Sequence, residues 1–220
     1  MIIHNFCQTN SVLNNFIKEL RSTDIQRDAM RFRQNIERVT QILAYELSKE
    51  LQYKLETVQT PLGKKEIEVL EERLVICSVL RAGLTMHGGL LRMFDTAENA
   101  FISAYRNHKN NEDAFEVKVN YMTSPNLEGK LLLLADPMLV TGKTLENVLQ
   151  ALEDNGKPKQ IHILSIIGAK EGIAHIKNVF PEDSHLWIAA IDPTLTKRGY
   201  IIPGLGDAGD LAYGVKQDRK

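Results

Sequence analysis

The chain has 220 residues, 43% of them hydrophobic and 25% charged, and a formal net charge of -1. That length suits one full hydrophobic core, so a single domain over residues 1–220 is expected. The near-zero charge excludes nucleic-acid or polybasic membrane attachment driven by an overall field; an anionic ligand must be held by a local site.

The first ten residues lack the basic and apolar regions of a secretory leader. Cys7 and Cys77 form no C-x-x-C pair, so two reduced thiols and a cytoplasmic location are expected. No apolar run approaches the roughly 20 residues that span a bilayer, so no membrane partner is expected.

In chain order, the first predicted element is a helix over 24–49, within an N-terminal helical segment 1–51. Ile25, Ala29, Phe32, Ile36, Val39, Leu43 and Leu47 recur at spacings of three and four, one apolar stripe for packing or a subunit interface. Thr23 followed by Gln26 reads as a capping box at its start. Runs 52–60 and 65–69 flank Pro61-Leu62-Gly63-Lys64 and predict a β-hairpin arm.

After the arm, strands are expected at 73–80, 100–105, 117–122, 130–135, 160–167 and 185–191. Helices are expected at 83–94, 144–155 and 170–179. Between the strands at 100–105 and 117–122 the chain is polar and aperiodic, so 106–122 reads as a flexible loop or hairpin, either a mobile lid or a plain solvated loop. Alternating helices and continuous apolar strands argue an α/β fold, a Rossmann-like parallel sheet covered by helices on both faces. Ligands of such sheets bind outside the carboxyl ends of the strands. That singles out Arg81, Arg106 and Asp136.

Two phosphate motifs fail on inspection. Gly142-Lys143-Thr144 ends like a Walker loop, but the first glycine of that motif is Pro137, which fixes φ and removes an N–H. Gly204-Leu205-Gly206-Asp207-Ala208-Gly209 satisfies G-x-G-x-x-G, but only 11 residues follow Gly209. The second strand and acid of a dinucleotide fold cannot fit there.

The loop from Asp136 to Thr144 still has useful chemistry. Its amides, the hydroxyls of Thr141 and Thr144, and the following helix N-terminus make a seat for one phosphate dianion. Lys143 either adds charge there or points to solvent. Asp136 either caps the helix or binds hydroxyls beside the phosphate, and one phosphate with neighbouring hydroxyls describes a ribose 5-phosphate. Arg81 and Arg106, at neighbouring strand ends, could clamp a second polyanion bidentately.

Four segments together resemble the uracil phosphoribosyltransferase family, over about 24–214. They are Val79-Leu80-Arg81-Ala82-Gly83-Leu84, Tyr105-Arg106, the 136–144 loop, and Gly199-Tyr200-Ile201-Ile202-Pro203-Gly204-Leu205-Gly206-Asp207-Ala208-Gly209-Asp210. The resemblance implies a type I phosphoribosyltransferase fold and the conversion of uracil and 5-phosphoribosyl-1-pyrophosphate (PRPP) to UMP and pyrophosphate, with Mg2+. It implies that Asp136, Pro137, Met138, Leu139, Val140, Thr141, Gly142, Lys143 and Thr144 bind PRPP, with Arg81 and Arg106 on the pyrophosphate. Ile201, Gly206, Asp207 and Ala208 would line the uracil pocket, in a hood over 192–214. Arg81, Arg106, Asp136 and Asp207 are the implied catalytic set. The metal would be carried by PRPP, with Asp207 the nearest protein carboxylate. Partners would be these small molecules and further copies of the chain, a homodimer or larger, and no nucleic acid.

Two departures stand out. The family loop usually reads Ala-Thr-Gly-Gly where this chain has Val140-Thr141-Gly142-Lys143, and His87 in Thr85-Met86-His87 stands where Pro-Met-Val is usual. Two alternatives remain: a non-catalytic RNA-binding regulator of the same fold, and a phosphoribosyltransferase for another base.

Overall fold

The computed structural model describes residues 1–108 and 115–216, with side chains described for all of these except 104–108 and 115–119. The tip of the expected lid, 109–114, lies outside the described residues.

The chain opens with β1 (Ile2–Asn5), α1 (Leu13–Arg21) and α2 (Ala29–Ser48), then the hairpin β2 (Tyr53–Thr60) and β3 (Gly63–Leu70). There follow β4 (Leu74–Leu80), α3 (Leu84–Leu91), β5 (Glu98–His108), β6 (Phe115–Thr123), β7 (Leu131–Ala135), β8 (Met138–Leu139) and α4 (Lys143–Leu152). The last part holds β9 (Gln160–Ala169), α5 (Lys170–Val179), β10 (His185–Asp192), β11 (Thr194–Leu195), β12 (Ile201–Ile202) and α6 (Ala208–Tyr213). The main sheet has eight strands in the order β1-β10-β9-β7-β4-β5-β6, with β8 beside β9. Every pairing in it is parallel except β5 with β6.

Side-chain alternation divides each strand between two cores. On one face Leu131 and Leu133 of β7 and Leu164 and Ile166 of β9 pack with Phe32, Ile36, Val39, Leu43 and Leu47 of α2. On the other, Leu132 and Leu134 pack with Leu145, Val148 and Leu152 of α4 and Ile173 and Ile176 of α5. Residues buried on both faces explain the unbroken apolar runs of the strands. Cys77 lies in the second core, where burial pushes its thiol up to about 12.

The first segment needs three corrections. It is not helical throughout, because Ile2–Asn5 joins the main sheet beside β10. A second helix, α1, precedes the one that the apolar stripe announced. The stripe helix begins later than 24, because Asp28 is the N-cap and its carboxylate accepts the Arg31 amide at 3.1 Å. Thr23 and Gln26 therefore form no capping box; the Gln26 amide group donates to the Arg21 carbonyl instead, at 3.2 Å. Elsewhere α3 spans Leu84–Leu91 rather than 83–94. In the hairpin Gly63 pairs with Thr60, so the turn is Pro61-Leu62 and Gly63 and Lys64 belong to β3.

At the amino ends of the strands, imidazoles gather around Trp187. His4 stacks on the indole with centroids 3.7 Å apart, and the indole N–H donates to His162 Nδ1 at 3.1 Å. His4 Nε2 meets His185 Nδ1 at 3.1 Å. Burial, then the neighbouring His185 and His4, brings the pKa of His162 down to about 3. Burial also lowers those of His4 and His185, with Glu50 opposing in both.

These rings bind protons more readily in the unfolded chain than in the folded one, so they stabilise the fold above about pH 6.5. That contribution fades as pH falls from there toward about 3. The urea midpoint is expected to drop between pH 7 and pH 5, and to drop less in His162→Gln, as followed by circular dichroism.

Candidate functional site

β7 ends at Ala135 and delivers Asp136 to the carboxyl edge of the sheet. One Asp136 carboxylate oxygen accepts the Met138 amide at 3.1 Å, and the Asp136 carbonyl accepts the Ser165 hydroxyl. The Pro137 carbonyl accepts the amides of Ile166 and Ile167 at 3.2 and 3.0 Å. Met138 and Leu139 then pair with β9 as β8. The loop is thus stitched to the neighbouring strand over its first half, and Val140, Thr141 and Gly142 then turn into α4.

Gly142 caps that helix with φ of 79°, a left-handed conformation that other residues adopt at a cost. As the N-cap, Gly142 offers no side chain to the first amides of α4. Unmet helix N-terminal amides are a seat for an anion. A small pocket of about 20 Å³ is lined by Asp136, Met138, Leu139, Val140, Thr141, Gly142, Thr144 and Leu145. Lys143 is the first helical residue, so the left-handed position is Gly142 and the lysine that replaces the family's glycine sits in α4.

Arg81 follows β4, and its guanidinium donates to the Asp210 carboxylate at 2.9 Å and to the Gly214 carbonyl at 3.2 Å. The C-terminal segment is therefore folded back over the strand ends. Asp207 caps α6 by accepting the Asp210 amide at 3.0 Å, and its other oxygen lies 3.4 Å from Lys216 Nζ. Burial works against the Asp207 carboxylate, but the Asp210 amide, Lys216 and the Gly209 amide outweigh it and hold its pKa below the usual value. Ile201, Leu205 and Ala208 are buried in the same apolar cluster against which Met138 and Val140 pack. The Arg81 bond to Asp210 joins the C-terminal segment to the end of β4, next to the strand that delivers the 136–144 loop.

A network that sequence reasoning missed holds this segment in place. Arg21 of α1 makes a two-pronged bond to Asp192 at the end of β10, both distances 2.8 Å. The same carboxylate accepts the Gly204 amide at 2.9 Å, and Arg21 donates to the Gly204 carbonyl at 2.9 Å. Gly204 has φ of 64°, and an added Cβ would lie 2.2 Å from the Ile201 carbonyl oxygen, so glycine is required there. The partners Arg21 and Asp192 are 171 residues apart, and only Asp192 carried a sequence signal, as the residue after an apolar strand.

The sequence model of the family described as uracil phosphoribosyltransferase matches residues 8–215. The chain belongs to the uracil phosphoribosyltransferase family. It is 48% identical to the uracil phosphoribosyltransferase of Porphyromonas gingivalis over 207 residues, 94% of this chain and 95% of that one. It is 39% identical to that of Methanococcus vannielii, over 87% of this chain and 82% of the relative. The solved structure of the AQ2163 protein from Aquifex aeolicus superposes with a TM-score of 0.86 at 30% identity, covering 97% of this chain and 99% of that chain. A hypoxanthine phosphoribosyltransferase from Staphylococcus aureus matches at TM-score 0.50 and 18% identity, over 85% of this chain and 84% of its own, a likeness of fold alone.

Within this phosphoribosyltransferase frame most of the expected residues converge. The 136–144 loop follows β7 beside β4, whose end carries Arg81, and the Arg81–Asp210 bond brings the segment with Asp207 and Ala208 to the same edge. Arg106 lies in β5 opposite Val117, and its side chain lies outside the described ones. His87 turns toward the sheet rather than toward this loop. Its ring is buried under α3, where Nδ1 meets the Ser78 hydroxyl at 2.8 Å and the ring packs on Phe101 at 4.6 Å. Burial, partly offset by a hydrogen bond from the ring to Asn99, lowers its pKa.

Asp192→Ala is expected to cost about 3 kcal/mol in urea unfolding, because it strands the Arg21 guanidinium and orphans the Gly204 amide. The measurement is the ΔG of unfolding for the variant beside the wild type.

Proposed function

We propose that the chain transfers the 5-phosphoribosyl group of PRPP to N1 of uracil, a pentosyl transfer that yields UMP and pyrophosphate for pyrimidine salvage. The observation that carries this reading is the bond from Arg81 at the end of β4 to Asp210, which holds the C-terminal segment at the edge where the neighbouring β7 delivers Asp136 and its loop. One phosphate seat and one main-chain-rich pocket then share the same end of the sheet.

In this reading the ribose 5-phosphate sits on the amides of Thr141 to Thr144, with the two threonine hydroxyls as further donors. The Asp136 carboxylate holds the ribose hydroxyls. Arg81 leaves Asp210 for the pyrophosphate, and Arg106 meets it from β5. Uracil is read by main chain at Ile201 and from Gly206 to Ala208, where amides face a carbonyl oxygen and a carbonyl accepts N3–H. Cytosine would set donor against donor and leave buried groups unpaired, about 1–3 kcal/mol for each.

The bond from the anomeric carbon to pyrophosphate breaks as the bond to N1 forms, and the N1 proton passes to the departing pyrophosphate or to water. Arg81 and Arg106 stabilise the departing negative charge, and positioning by the loop and hood supplies much of the acceleration. Among the described residues no cluster of three or more His, Cys, Asp or Glu side chains could hold a metal. Magnesium would be carried by PRPP and held mainly by substrate oxygens and water, with the ionised Asp207 available as a hard oxygen donor. When bound, magnesium supplies charge neutralisation on the pyrophosphate.

The functional unit in this reading is a homodimer or larger. Among the described residues the β2–β3 arm pairs with no other strand, and it exposes Tyr53, Leu55, Leu62 and Ile67, an apolar surface for a second copy. Among the described residues no helix is long and apolar enough to cross a membrane, and both cysteines are free, in keeping with a cytoplasmic setting.

Uracil, orotate and hypoxanthine offered with PRPP in one assay are expected to give product with uracil only; transfer to hypoxanthine or orotate at comparable rate overturns the base assignment. Asp136→Asn is expected to keep the fold and lower turnover at least about tenfold, the order of one lost charged hydrogen bond in the transition state. An unchanged rate removes Asp136 from the sugar site.

A further inference from the structure

The back of the phosphate turn is packed on α5 almost without intervening side chains. An added Cβ at Gly172 would lie 2.2 Å from the Val140 carbonyl oxygen, so the α5 backbone rests on the loop backbone. At Gly142 an added Cβ would lie 2.9 Å from His175 Cδ2 and 2.9 Å from Ile176 Cγ2. The His175 ring therefore fills the space behind the left-handed residue that caps α4. Its Nε2 meets the Glu146 carboxylate at 2.8 Å, and Glu146 is the acidic residue in the first turn of α4.

This carboxylate has conflicting electrostatics. With no ligand, a negative charge in the first turn of a helix is favourable, because it faces the positive end of the dipole. With a phosphate dianion on the same amides, it becomes a like charge beside the ligand and a competitor for the same field. The His175 bond ties the Glu146 carboxylate to α5 and satisfies it there. Lys143, at the first position of the same helix, adds positive charge to the turn.

We infer that His175 and Glu146 are a positioning pair for the phosphate seat: His175 braces the Gly142 turn and keeps the Glu146 carboxylate from opposing the 5-phosphate of PRPP. Neither residue contacts substrate in this assignment. The inference rests on the phosphoribosyltransferase reading above and adds two residues to it. Neither carried a sequence signal, because each is an ordinary helix position and they are 29 residues apart.

The experiment is steady-state kinetics on the full chain, with PRPP and uracil varied separately. His175→Ala is expected to raise KM for PRPP about five- to tenfold, the size of an unbalanced charge in the first helical turn. In the same variant kcat and KM for uracil are expected to stay within about threefold. Adding Glu146→Gln to His175→Ala is expected to restore most of the PRPP KM, since the opposing charge is then gone. A loss of packing alone would not be restored by removing that charge. His175→Gln, which keeps an N–H donor, is expected to remain within about threefold of wild type.

If His175→Ala does not fold, His175→Leu keeps volume behind Gly142, loses only the hydrogen bond, and carries the same expectation. An unchanged PRPP KM in the single variant, or a raised one that the double variant leaves raised, overturns the pairing role. Calorimetric binding of ribose 5-phosphate to the same proteins separates this from the functional reading. A wild type that binds ribose 5-phosphate, shows the same variant pattern and transfers nothing to uracil retains the pair and refutes the activity. A wild type that binds no ribose 5-phosphate and follows no such pattern refutes the pair.

Discussion

The Asp192 carboxylate at the end of β10 takes two bonds from Arg21 and one from the Gly204 amide, and the geometry of the C-terminal segment follows from it. It stands in a nearly buried position, with its side chain 7% exposed. Burying a carboxylate costs far more than it returns unless every oxygen is met. Here the guanidinium fork and a backbone amide meet them. Because Gly204 is held from both its amide and its carbonyl, the chain on either side has one course. Ile201 enters the core before it, and Leu205 and Ala208 enter after it. A hood built on glycines would otherwise carry much backbone freedom.

The second organising contact is backbone against backbone. α5 rests on the 139–142 loop with no side chain between Gly172 and Val140, and the loop in turn hands its chain to α4 through a left-handed residue. The sheet edge thus carries two kinds of order. Stitching to β9 fixes the first half of the loop, and packing on α5 fixes the second. Charge is spread with the same economy: Asp207 caps α6, Asp210 holds Arg81, and Glu146 meets His175, so most of the carboxylates at this end of the molecule are met by a donor.

Much of this was legible in the sequence. The 130–135 run predicted β7, the 170–179 pattern matched α5, and the order of strand ends put Arg81 and Asp136 at one edge. Local periodicity and strand burial are short-range signals, and they were enough for the sheet. What stayed hidden was set by distant partners. β1 has four residues, two of them exposed, and acquires its pairing only from β10, some 180 residues later in the chain. Thr23 and Gln26 had the spacing of a cap, yet Asp28 won because its carboxylate reaches the Arg31 amide where the chain enters α2. Arg21 carried no signal in the sequence, and its role comes from the fold, which places Asp192 beside it.

Trp187 is the single tryptophan of the chain, and it stands five residues before Asp192 on the same strand. At the rise of an extended strand, that separation is about 17 Å along β10. Its indole is sandwiched with His4 of the edge strand and bonded to His162 of the inner one. Intrinsic emission from this protein therefore reports on the seating of the amino-terminal strand. Substrate arriving at the opposite end of the sheet leaves that optical probe undisturbed unless β1 itself shifts.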